Sequence, residues 1–231
     1  MRVRSTRPPE PGEGSLATVI AVTACYPIET RGLIPPDGVR LVRTAIGERA
    51  ADALDELARR EAVSLLVSTG FCGGLRPELQ IGDLVLADAI RHRGEEILVS
   101  SDLLRRARRT LDAHSARTGT NTVRIGACES VSDVVVGTSK RALAEGGGLS
   151  VDMESGPLAR WSRQRAVPFL VLRVVLDPLD TDLTFSADRS VASAFVRHPI
   201  RSARTVRSAA RVGRRLGRAL ADLLAELKEA P

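Results

Sequence analysis

The segment from Ser150 to Asp180, SVDMESGPLARWSRQRAVPFLVLRVVLDPLD, constrains this chain more than any other. Phe169 to Leu176 is apolar enough for a buried strand and ends on an acid, Asp177. Upstream, Leu158, Trp161 and Arg165 recur at helical spacings of three and four, and the short run Val151-Asp152-Met153-Glu154 precedes them. The pattern predicts strand, helix, strand. In such a unit the start of the helix and the residue just past the second strand are expected at the carboxyl edge of a parallel sheet, where open α/β sheets bind ligands. Glu154 and Asp177 hold those places, so two acids are expected to converge there.

The rest of the chain has to supply a body for that unit. With 231 residues and 43% apolar content, one domain with a substantial core is expected. No run approaches the eighteen or so apolar residues of a spanning helix. Arg2, Arg4 and Arg7 precede the apolar stretch Leu16–Ala24, and Val22-Thr23-Ala24-Cys25 imitates a lipoprotein cleavage site. The stretch is short, and Glu10 and Glu13 interrupt its approach, so a buried first strand in a cytoplasmic protein is the expectation. Cys25, Cys72 and Cys128 are odd in number and lack metal-type spacing, which fits a reducing compartment. No metal site is expected.

Residues 1–14 are rich in Pro, Gly, Arg and Glu and read as a disordered leader. Residues 15–196 read as the folded body and 197–231 as a helical extension. Within the body, strands are expected at Leu16–Ala24, Val39–Ala45, Val63–Thr69, Leu84–Ile90 and Val123–Ala127. Helices are expected after Gly47, from Ser101 through Leu111 and over residues 139–145. Strands alternating with helices imply an α/β fold with a mostly parallel or mixed twisted sheet flanked by helices. Gly70-Phe71-Cys72-Gly73-Gly74-Leu75 is expected to form a turn whose amides come close to a ligand, although tight turns alone explain many such clusters. His92, His114 and His198 are scattered and read as surface or helix residues, and Trp161 as core.

Three segments together resemble the purine nucleoside phosphorylase and nucleosidase superfamily: Ser68–Leu75 with Ile81-Gly82-Asp83, then Val151–Glu154, then Arg173–Asp180. The match spans roughly residues 16 to 185. Within the superfamily the chain looks most like the hopanoid-associated phosphorylases of bacteria, nucleosidase-like enzymes that act on adenosylhopane. The resemblance implies cleavage of the N-glycosidic bond of a 5′-substituted adenosine with release of adenine. Methylthioadenosine or adenosylhomocysteine nucleosidase is the alternative, as is another purine nucleoside phosphorylase. A non-catalytic membrane- or nucleic-acid-binding protein on a decayed fold is an alternative of another class. It also implies roles: Asp177 as the acid that protonates the departing base, Glu154 as the acceptor of ribose hydroxyls, and Met153 and Asp152 beside the sugar. Glu29 takes the position of the acid that activates water. Gly70, Phe71, Cys72 and Gly73 would line the substrate, as would Val134 and Val135, which stand where relatives place a stacking aromatic. No cofactor is implied beyond inorganic phosphate as a co-substrate, held by Arg43 or Arg31 if it is used. Phe71 replaces a serine common in phosphorolytic relatives, which makes hydrolysis at least as favoured as phosphorolysis. With six aromatics in all, only Phe71 and Phe185 remain to line a purine pocket.

Positive charge is concentrated at one end. From Arg197 onward there are nine Lys or Arg against three acids, while the remainder carries 25 of each sign. On a helical wheel the arginines from Arg197 to Arg218 occupy one face, and Val206, Val212, Leu216, Leu220, Leu223, Leu224 and Leu227 the other. Two readings stand: leucines packed on the body with arginines solvated, or peripheral contact with an anionic membrane at its inner face. Nucleic acid is not the expected partner, because no aromatics interleave the charge. The expected ligand is a small-molecule or lipid-linked nucleoside, and the expected assembly a homo-oligomer, with a dimer favoured.

Overall fold

A computed structural model describes residues 16–119, 122–180 and 199–229, with side chains of the last segment described from Arg207 onward. The leader expected over residues 1–14, as well as Phe185, Arg197 and His198, lies outside the described residues.

Eight strands form one sheet: β1 (Thr18–Ala24), β2 (Val39–Arg43), β3 (Ala62–Gly74), β4 (Leu84–His92), β5 (Glu95–Leu98), β6 (Val123–Ser130), β7 (Ser150–Asp152) and β8 (Phe169–Asp177). Five helices accompany them among the described residues: α1 (Asp52–Ala58), α2 (Ser101–Thr118), α3 (Gly137–Glu145), α4 (Ser155–Arg165) and α5 (Pro199–Lys228). Short 3-10 turns cover Pro27–Thr30 and Gly47–Ala51.

The pairing closes on itself. β8 pairs with both β3 and β4, β4 with β6, β6 with β7, and β7 returns to β3. Closure comes from two antiparallel joints, β4 to β8 and β3 to β7, between sets of strands that are otherwise parallel. β1 and β2 extend the ring from β3, and β5 extends it from β4 as an antiparallel hairpin. The sheet is thus mixed, and the strands of the β7-α4-β8 unit are not simple parallel neighbours. Both pair with β3, β7 antiparallel at Gly73–Gly74 and β8 parallel from Leu66 to Gly73.

β3 makes the closure possible. The glycine cluster expected to be a turn is instead the last third of this 13-residue strand. Gly73 pairs with Val151 of β7 and with Asp177 of β8, across a register shift at Cys72/Gly73. A side chain at Gly73 would stand 2.9 Å from Val151 Cγ1, so a bare backbone is what lets β7 approach. The Ile81-Gly82-Asp83 motif stitches β4 to β8. The Gly82 amide donates to Val175 O (2.8 Å), the Val175 amide donates to Asp83 O (2.9 Å), and Asp83 Oδ2 accepts from the Gln80 amide (2.8 Å). That anchors β8 two residues before Asp177.

Helix α5 is part of this body. Val212, Leu216, Leu220, Leu223, Leu224 and Leu227 join Ile20, Val22, Leu65, Leu170 and Leu172 in the larger core cluster. His114 of α2 hydrogen-bonds Asp222 of α5 (2.5 Å), so this histidine is a buried link between helices. His92 is likewise buried, its Nδ1 within 2.8 Å of Ser130 O. Trp161 is core, as expected, and donates from Nε1 to Asp55 (2.7 Å).

Candidate active site

At the centre of the ring stands a cation that the sequence reading passes over. Arg173, in the middle of the apolar strand β8, is 1% exposed. Its Nε donates to Asp152 Oδ2 (2.6 Å), and its Nη2 donates to Ser68 Oγ (2.9 Å) and Ser155 Oγ (2.8 Å). Its Nη1 has no hydrogen-bond partner among the described residues. Burial works against the guanidinium charge, but Asp152 and Glu154 outweigh it and hold Arg173 as a cation more firmly than usual. A single basic residue inside an otherwise apolar run was the available signal, because a buried cation needs anionic partners nearby.

Asp152 is the principal partner. It is buried with Arg173, and it also caps helix α4: Oδ1 accepts the amides of Glu154 (3.3 Å) and Ser155 (3.1 Å), and Oδ2 accepts from the Ser155 hydroxyl. Burial pushes its carboxyl up, but Arg173 and the Ser155 bonds outweigh this and keep it below the ordinary range. Asp152 therefore does the electrostatic work that a helix N-terminus asks of a nearby acid. Glu154, at the N-cap position, makes no side-chain cap bond, so its carboxylate is not engaged by the helix it begins.

Glu154 sits in a tense environment. Burial and the neighbouring Asp152 raise its pKa to about 7, with Arg173 opposing and Glu29 adding to the rise. The Cys25 thiol hydrogen-bonds to it, and burial and the Glu154 charge push that thiol up to about 12. Cys25 also lies 3.3 Å from Thr44 Oγ1. It is a neutral neighbour of the acid, unlike the fully buried core residues Cys72 and Cys128.

Glu29 comes in from the 3-10 turn after β1. Its Oε2 accepts the Tyr26 amide (2.8 Å) and its Oε1 the Phe71 amide (3.2 Å). Burial raises its pKa, and the two amides only partly offset that. Gly70 is essential to this approach. With φ at +156° and Glu29 Oε1 only 2.9 Å from where a Cβ would stand, any side chain would displace Glu29 from its place; Arg173 Nη1 is 3.3 Å from the same point. Glu29 and the unpartnered nitrogen of Arg173 therefore border one small space.

Asp177 ends β8 with a different companion. Lys140 of α3, fully buried, donates from Nζ to Asp177 Oδ2 (2.7 Å), Asp177 O (2.9 Å) and Pro178 O (2.7 Å). The sequence reading places this acid at the end of an apolar strand; the structure gives it a buried ammonium partner as well.

Other residues singled out in the sequence fall on the rim or in support. Met153 is half-buried beside Glu154, and Phe71 packs partly against the core. Val134 is exposed and Val135 half-buried, next to a cluster of Leu75, Ala144 and Val151. Arg43 braces the Glu29 turn, donating to Tyr26 O (2.9 Å) and Thr30 Oγ1 (2.6 Å), while Arg31 is exposed. Among the described residues no group of three or more His, Cys, Asp or Glu is placed to hold a metal ion.

Fold and site together define an α/β protein with a closed mixed sheet, in which Glu29, Asp152 and Glu154 gather around one buried guanidinium, Arg173. The chain belongs to the phosphorylase superfamily, whose family profile matches residues 30–208. It is 24% identical over 175 residues to a 5′-methylthioadenosine/S-adenosylhomocysteine nucleosidase of Exiguobacterium, covering 68% of this chain and 75% of that protein. A nucleosidase of the same name from Tolumonas auensis is 41% identical over 63 residues, 27% of each chain, so that alignment spans about a quarter of the relative. Among solved structures, the nucleosidase of Colwellia psychrerythraea in complex with adenine superposes with a TM-score of 0.66 at 18% identity, covering 92% of this chain and 96% of that one. The S. pneumoniae enzyme with a transition-state inhibitor gives a TM-score of 0.66 at 19% identity, covering 90% and 99%. At these identities the structural likeness shows the fold.

Proposed function

We propose that this protein hydrolyses the N-glycosidic bond of a 5′-substituted adenosine, releasing adenine. The observation that carries the reading is the convergence of Glu29, Glu154 and Arg173 on one buried space, with Asp177 at the end of the strand that bears the arginine. Glycosidic cleavage builds positive charge at the anomeric carbon, which carboxylates stabilise, and needs a base to take a proton from water and an acid to give one to the leaving purine. In this reading Glu29 removes a proton from water as its oxygen bonds to C1′. The C1′–N9 electrons pass to the base, and Asp177 delivers a proton to a ring nitrogen, leaving adenine and a free sugar. Glu154 accepts bonds from the ribose hydroxyls, and Arg173 Nη1, which has no hydrogen-bond partner among the described residues, donates to the same sugar or to the water.

Water is the favoured nucleophile. The Phe71 amide that would hold phosphate is already given to Glu29, Arg43 is committed to the Tyr26–Thr30 turn, and a buried carboxylate disfavours a second anion beside it. As to substrate, the named relatives are methylthioadenosine and adenosylhomocysteine nucleosidases, so a small thioether-bearing nucleoside is favoured over adenosylhopane. The membrane contact expected of α5 belongs to this proposal only through its arginine face, since its apolar face is spent in the core. Dimerisation is carried with it as a separate expectation.

Adenine release from 5′-methylthioadenosine, followed with and without phosphate, tests the reading. E29Q, E154Q and D177N are each expected to lower kcat/KM by roughly 10²–10⁴-fold, the range of a lost acid, base or charge-stabilising group. Full activity in D177N and E154Q would sink the proposal, and 5-methylthioribose 1-phosphate as the product would replace hydrolysis with phosphorolysis.

A further inference from the structure

Lys140 is a fully buried cation to which the proposed reaction gives no role. All three of its ammonium hydrogens have acceptors, the Asp177 carboxylate and the carbonyls of Asp177 and Pro178. It reaches them from α3 by passing over Gly73, where an added Cβ would lie 3.4 Å from Lys140 Cε and 3.7 Å from Asp177 Oδ2. β3 thus leaves a bare stretch of backbone at the point the lysine crosses. A buried ion pair is not in itself stabilising, and an apolar pair of similar volume often serves a fold as well. The position of this one, on the acid at the end of β8, calls for a chemical account.

We propose that Lys140 is a positioning residue for departure of the base: it fixes the Asp177 carboxyl by side chain and backbone together and stabilises the negative charge left on Asp177 once its proton has gone to the purine. This rests on the reading of Asp177 as the general acid. The step balances simply. The proton leaves the Asp177 carboxyl for a ring nitrogen as the glycosidic electrons enter the base, and the resulting carboxylate is paired with an ammonium already in contact. A fixed charge is most effective when it faces charge that develops in the transition state, as this one does. Its effect is confined to leaving groups that need a proton.

That restriction gives the test. Wild type, K140M, D177N and the double variant are assayed on two substrates: 5′-methylthioadenosine, whose adenine requires protonation, and 4-nitrophenyl β-D-ribofuranoside, whose nitrophenolate leaves as a stable anion. K140M is expected to lose on the order of 10²-fold in kcat on adenine release, with KM little changed, while nitrophenolate release falls by less than about threefold by the same reasoning. Because the double variant removes both charges and leaves no lone buried ion, it guards against a folding defect in K140M. It is expected to release adenine no more slowly than D177N alone, as two residues acting through one step should. Equal losses on both substrates in K140M, or a further loss of adenine release in the double variant, would overturn the assignment. Absence of adenine release by the wild type would instead remove the functional reading, and this inference with it.

Discussion

At the scale of single residues, the site is a set of carboxyl groups made different by their neighbours. Asp152 is spent on Arg173 and on the cap of α4, whereas Glu154, two residues on, is pushed to a pKa of about 7. The sign of the linkage follows. A carboxyl raised above its unfolded value of 4.5 binds more protons in the native state between pH 4.5 and 7, so its folded form loses stability as pH rises through that window and stays disadvantaged above it. Glu29, also raised by burial, contributes in the same direction. E154Q is therefore expected to be more stable than wild type at pH 8, on the order of 2 kcal/mol after allowing for partial exposure, and no more stable at pH 4.5. Thermal melts at the two pH values check this, and an equal change in Tm at both would contradict it. The same group, needed ionised to accept ribose hydroxyls, should place the acid limb of kcat/KM near neutrality. Stability withheld at such a position is the ordinary cost of a functional carboxylate.

At the scale of elements, the legibility of the sequence divides along a physical line. Regular strands and helices with clean periodicity, such as β1, β4, α4 and β8, are read within a few residues of where they lie. β5 is missed because its hairpin rests on two residues, Arg93 and Gly94, both at positive φ, and Arg is not a usual first residue for such a turn. The end of β3 is misread because glycines signal turns, yet here they serve close approach by Glu29, β7 and Lys140. Lys140 and Arg173 escape notice for a related reason: their partners are remote in sequence, so only the folded chain reveals that each cation is paired. Helix α5 shows the converse. Glycine inside a helix costs roughly 1 kcal/mol relative to alanine, but a Cβ at Gly213 would stand 2.0 Å from Ile28 O and one at Gly217 2.6 Å from Arg31 O. The two glycines seat α5 against the turn that holds Glu29. G213A should lower stability by roughly 1–3 kcal/mol, the usual cost of overpacking, and depress kcat by displacing Glu29. A melt unchanged from wild type would show that the turn yields without cost.

For the whole molecule, closure of the sheet leaves β2 and β5 as its edges among the described residues. The basic end of the chain then has a divided character. Its apolar residues belong to the core, while Arg207, Arg211, Arg214 and Arg218 remain exposed. Truncating the helix would confound any binding measurement with unfolding, so charge is the better variable. Replacing these four arginines by glutamine should leave Tm and adenine release near wild-type values, and should abolish co-sedimentation with phosphatidylserine vesicles at low salt. Retained sedimentation would place the contact elsewhere. One consequence of α5 concerns the chain before it is complete. The helix is translated after all eight strands, yet Leu216, Leu220, Leu223 and Leu224 cover the sheet face bearing Ile20, Val22 and Leu65. A nascent chain still holding that helix in the ribosome has an apolar sheet face open to water and to other chains. Premature termination or proteolytic loss near the end of the chain thus becomes a quality-control problem, producing a substrate for chaperones rather than a shorter working protein.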